Sequence, residues 1–152
     1  MLDIISQLFR NDILLITVIV WFSTQLIKVL LGTVREKRFD FRWFIGTGGM
    51  PSSHAAGVSA LATSIGLNQG FDSVIFALAA TFGVVVFFDA QGVRMATGRQ
   101  AYILNQIMED IYFKGKIQEK RLKELIGHTP LEVIFGILIG IFSAIILYSF
   151  FV

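Results

Sequence analysis

Apolar and polar positions along the chain fall into long blocks. An apolar block runs from Ile13 to Leu31, interrupted by Gln25 and Lys28 near its end. A second, from about His54 to Leu67, is shorter and rich in Ala, Gly, Ser and Thr. A third runs from Val74 to about Phe88 and continues through Asp89 to Arg94. The fourth, from Leu131 to Val152, carries no charge after Glu132. A helix needs ~20 apolar residues to cross a bilayer. The pattern therefore predicts an all-α, polytopic membrane helix bundle of about four spans, over roughly 13–31, 54–67, 74–94 and 131–151. Residues 1–152 form one integral membrane domain on this reading.

The polar intervals set the orientation. Arg35, Lys37, Arg38 and Arg42 make a basic loop after the first block, and Asn68 to Asp72 a short polar turn after the second. A long polar stretch from Ala96 to Thr129 carries Arg99, Lys114, Lys116, Lys120, Arg121 and Lys123. Within it Ile103, Ile107 and Ile111 recur every four residues, with Leu104 and Met108 beside them, which is helical periodicity. This predicts a helical insertion over 97–128: an amphipathic helix that lies on the membrane surface or extends the third span, then a second polar helix into Leu125. Both basic stretches follow odd-numbered spans and share a side, which the positive-inside rule makes cytoplasmic. The short turn and both termini then lie outside a multi-pass protein of the cell membrane.

Composition agrees. The chain is 55% hydrophobic and 16% charged, with a mean hydropathy of +0.71, against about a quarter charged in soluble domains. Cysteine is absent, which excludes disulfide and thiolate chemistry. A net charge of +2 is too small for a nucleic-acid partner. Asp3, Arg10 and Asp12 do not make the basic n-region of a signal peptide, so the first block reads as a retained helix. Ala55, Ser59 and Thr63 are spaced by four, and Gly136 and Gly140 repeat that spacing, as expected of close helix packing in lipid. Self-association into a homo-oligomer is left open.

Ionisable groups at membrane depth are expensive and point to function. Lys28 lies late in the first block, and Arg35 follows two helical turns later. Taken singly, they also fit a snorkelling lysine and an ordinary positive-inside charge. Pro51-Ser52-Ser53-His54 opens the second block, where a serine serves as N-cap. His54 has no such structural reason, and a helix start favours an anion over an imidazolium. Asp89 and Arg94 could form an ion pair. Thr129, Pro130 and Glu132 make a capping box, but His128 just before it is again unexplained. Two histidines among several cations fit phosphoryl transfer: one attacks phosphorus, the other protonates the leaving oxygen, and cations stabilise the equatorial oxygens. Asp89 and Glu132 alone are a thin set for a two-metal mechanism, so neither metal nor cofactor is expected.

These residues resemble the type 2 phosphatidic acid phosphatase superfamily, related to the vanadium haloperoxidases, and most closely its divergent short branch. The superfamily motif K-x6-R-P is matched by Lys28 and Arg35, followed by Glu36 instead of proline. P-S-G-H is matched by Pro51, Ser52, Ser53 and His54, with Ser53 for glycine. S-R-x5-H-x3-D is matched by Arg94 and, after 33 intervening residues, by His128 and Glu132. The resemblance implies phosphate binding by Lys28, Arg35, Ser52, Ser53 and Arg94, with Arg99 a rival for Arg94. It implies His54 as general acid, His128 as nucleophile and Glu132 as its orienting carboxylate, without metal. The expected activity is hydrolysis of a lipid phosphate at the cytoplasmic face: phosphatidylglycerol phosphate, phosphatidic acid or an isoprenoid phosphate or diphosphate. The alternative is a non-catalytic lipid-phosphate binder or transport-associated protein. A haloperoxidase is disfavoured because a buried membrane site suits lipid better than a resident vanadate.

Overall fold

The computed structural model describes residues 2–37, 39, 49–112 and 129–151, with the backbone alone at 2, 93–95, 99 and 109–112. The expected second polar helix into Leu125 lies outside the described residues, as do Arg38 and Arg42. Every regular element among the described residues is helical. The protein is an all-α membrane helix bundle.

A short helix α1 (Leu2–Phe9) precedes the first block. The chain then turns, and the Asn11 side chain caps α2 (Asp12–Glu36) by accepting the Leu14 N–H at 3.0 Å. At 25 residues α2 is about 37 Å long, and its last turn takes in Arg35, which the polarity pattern assigns to the loop. It ends where Lys37 adopts a left-handed φ of 52°. Ile16, Val20, Thr24 and Lys28, four apart, are buried on one stripe, with Gln25 and Val29 beside it.

Helix α3 (Ser53–Gln69) is the core. Ten of its 17 residues are buried, and α2, α4 and α6 all pack on it. Among the described residues, three helical runs are long and apolar enough to cross a membrane: Asp12–Glu36, Val74–Met108 and Pro130–Phe151. Helix α3 spans only about 25 Å and is not among them. Ringed by its neighbours, it needs no broad apolar face toward lipid, which explains its Ala, Gly, Ser and Thr content.

Helix α4 (Val74–Phe88) passes through a π-helical turn (Asp89–Val93) into α5 (Arg94–Tyr112). The apolar run of 35 residues is about 52 Å long, more than the ~30 Å hydrocarbon core. The start of the insertion is thus a continuation of the third span. Within α5, Gly98, Ala101 and Asn105 are buried on one stripe, whereas Ile103, Leu104 and Ile107 are exposed. The apolar periodicity marks the outward face of this helix.

Helix α6 (Pro130–Phe151) runs parallel to α3. A Cβ on Gly136 would strike the Ser52 carbonyl oxygen and come within 2.9 Å of Ala55 Cβ. One on Gly140 would strike the Ala56 carbonyl oxygen and come within 2.9 Å of Ser59 Cβ. At the other end Asn68 Nδ2 donates to Tyr148 Oη at 3.4 Å. Thr24, Gln25, Lys28, Ser59, Thr63 and Ser64 are buried, while Leu78, Phe82, Phe142 and Phe150 are exposed. That inversion of the soluble pattern fits a bundle solvated by lipid.

Candidate functional site

The parallel pairing of α3 and α6 puts two helix N-termini side by side. The Ser52 N–H donates to the Glu132 carbonyl oxygen at 3.1 Å, tying the two starts together. Ser52 also caps α3, its Oγ accepting the Ala55 N–H at 3.3 Å. Helix α6 is capped reciprocally: the Thr129 N–H donates to Glu132 Oε2 at 3.1 Å, and the Glu132 N–H donates to Thr129 Oγ1 at 3.4 Å. This is the arrangement expected of Thr129-Pro130-Leu131-Glu132. Each helix start presents N–H groups that have no carbonyl within the helix, and each carries about half a positive charge. Two together favour an anion.

A cation joins them from α2. Lys28 is only 7% exposed. Its stem lies under Gly49, where an added Cβ would sit 3.5 Å from Cδ and 3.6 Å from Cγ. Gly49 has φ +88°, a conformation that other residues rarely adopt. The Met50–Pro51 peptide that follows is cis, and Pro51, Ser52 and Ser53 are buried. Burying an ammonium costs several kcal/mol unless charge or hydrogen bonds compensate it.

The pairing of Lys28 with Gly49, and of Trp21 with a Cβ position on Gly57 at 3.4 Å, fixes α2 antiparallel to α3 in one register. That register sets Gln25 level with Ser53. Gln25 is buried and lies one turn before Lys28 on the same helix. Motif spacing does not single it out; its polarity within the first apolar block is the one signal the sequence offers. His54, half-buried in the first turn of α3, lines a cleft of about 320 Å³ whose walls include Trp21, Gly57, Phe82 and Val86. Ala90 of the π turn packs with Ala55 and Val133, so Asp89 belongs to this same end of the bundle.

Of the sequence-predicted residues, Lys28, Ser52, Ser53, His54 and Glu132 lie at this end of the bundle. Arg35 is exposed, about 10 Å further along α2. The backbones of Arg94 and Arg99 lie in α5, but their side chains are outside the described residues, and so is His128.

Comparison with known proteins matches the sequence to a family. The profile described as "Divergent PAP2 family" matches residues 9–143. The chain is also 40% identical over 156 residues to the uncharacterized membrane protein YuiD of Bacillus subtilis (strain 168), covering 95% of this chain and 99% of that protein. No solved structure matches.

Proposed function

The chain belongs to the Divergent PAP2 family, and on that premise we propose that it is an integral-membrane phosphatase acting on a lipid phosphate. The observation that carries the proposal is the convergence of two helix N-termini beside the buried Lys28. Lys28, Arg35 and Arg94 hold the phosphate oxygens, with Ser52 and Ser53 at the start of α3. His128 attacks phosphorus, forming a P–N bond as the P–O bond to the lipid alcohol breaks. His54 protonates the departing oxygen. Water then cleaves the phosphohistidine, returning the nucleophile and releasing phosphate. Glu132 orients His128, a role compatible with its cap because a carboxylate accepts several hydrogen bonds.

The basic stretches place this face at the cytoplasm, with both termini outside. Phosphatidylglycerol phosphate, phosphatidic acid and isoprenoid phosphates or diphosphates are the candidate substrates. Purified protein in detergent, assayed for phosphate release from each, tests the proposal. The His128→Ala variant is expected to lose activity by roughly a thousandfold or more, as removal of a covalent nucleophile does in other hydrolases. Release unchanged in that variant overturns the nucleophile. No release from any lipid phosphate, with phosphate-selective binding retained, favours the binder.

A further inference from the structure

The cleft beside His54 is not needed to hold a phosphate. Its walls, among them Thr17, Trp21, Gly57, Phe82 and Val86, are nearly all apolar, and His54 is the one ionisable group on them among the described residues. It lies between α2, α3 and α4. Trp21 and Phe82 are exposed, so the cleft opens sideways into the membrane and not toward water. Its lining runs from Thr17 to Trp21 along α2, from His54 to Val58 along α3 and from Phe82 to Val86 along α4, about 6 Å of each helix axis, and begins about 10 Å along α2 from Lys28. At about 320 Å³ the cleft has room for roughly ten groups the size of a water or a methylene, at about 30 Å³ each. An apolar trough with His54 on its wall, at the end of the bundle that carries the buried Lys28, matches a phosphate followed by the first part of an acyl chain.

We propose that this cleft holds an acyl chain of the lipid whose phosphate is bound at His54, and that Gly57 keeps it open. The inference rests on the lipid-phosphate reading above and adds the element that selects a chain-bearing substrate. Gly57 is buried where α3 meets Trp21, and an added Cβ would stand at ordinary contact, 3.4 Å from Trp21 Cδ1. Alanine is therefore tolerated there, whereas the branched side chain of Gly57→Leu projects into the trough or displaces the indole.

The test uses photoactivatable lipids in detergent micelles. Phosphatidic acid and phosphatidylcholine carry the same diazirine-labelled acyl chain, and labelled peptides are mapped by mass spectrometry. Phosphatidic acid is expected to label the segments containing Trp21 and Phe82 well above phosphatidylcholine. Gly57→Leu is expected to lower that labelling roughly tenfold, since two lost methylene contacts already account for that factor. Gly57→Ala should retain it. Equal labelling by both lipids in the unmodified protein overturns the proposal whether or not Gly57→Leu folds, because the trough would then hold only bulk lipid. Preferential labelling untouched by a folded Gly57→Leu overturns the role of Gly57. The labelling is independent of turnover. Selective labelling without phosphate release sinks catalysis and spares the cleft, and release without selective labelling does the reverse.

Discussion

Lys28 shows how a single side chain links the loop to the bundle. Its charge is buried, and its methylenes lie beneath Gly49. Replacing it by methionine keeps the stem and removes the charge. Lys28→Met is expected to fold and to weaken binding of phosphatidic acid by tenfold to a hundredfold, the range for a hydrogen bond to a charged group at about 1.5–3 kcal/mol. Titration of the purified variant with the lipid checks this, and unchanged affinity removes Lys28 from the phosphate site. At Gly49 the φ of +88° makes alanine strained by about 1–2 kcal/mol. Gly49→Ala should lower the thermal unfolding midpoint in detergent and loosen the loop that covers Lys28. Thr129→Ala removes one half of the α6 cap and should cost about 1 kcal/mol by the same measurement. All three positions sit in motifs or turns that a reader of the sequence can single out. The burial of Lys28 is different, since snorkelling and burial predict the same sequence.

Between elements, the decisive contact is α3 against α6. Small residues at 55, 59, 136 and 140 signal close packing in the sequence, and the structure puts these positions against one another. Alanine at Gly140 would strike the Ala56 carbonyl oxygen, a backbone atom that cannot step aside. Gly140→Ala is expected to destabilise the bundle by about 1–3 kcal/mol, the usual cost of overpacking. Gly136→Ala should do the same and also lower activity, because its contact is Ser52, which starts the site. A Gly136→Ala protein with unaltered stability and turnover would show that the two helix starts separate freely. The short, polar character of α3 is legible in the sequence, but its central position is not. A helix of small residues can be an interface on one side or a core on all sides, and only its neighbours decide. Similarly, Ile103 and Ile107 announce a helix without saying whether its apolar face meets protein or lipid.

For the whole molecule, the cysteine-free sequence makes the topology directly measurable. Asp72 and Lys37 are both exposed and lie at opposite ends of the bundle. An impermeant maleimide applied to intact cells is expected to label Asp72→Cys and to leave Lys37→Cys untouched until the membrane is opened. The reverse pattern would turn the candidate site outward. This prediction belongs to the whole chain because the positive-inside argument sums charge over both loops and not over any one residue.

What the sequence determined by itself was the solvent and the local grammar. Block hydropathy required a membrane helix bundle, helical periodicity and caps marked where helices begin, and small-residue spacing marked which faces pack closely. Each of these depends on neighbours within a few turns, so a linear reading suffices. The tertiary structure decided how those pieces meet: α3 at the centre, α6 parallel to it with their N-termini joined at Ser52 and Glu132, Lys28 and Gln25 turned inward, and His54 opening on an apolar cleft. These depend on the register between segments far apart in the chain. Register is set by the summed close packing of many small contacts, and no single stretch of sequence contains that sum.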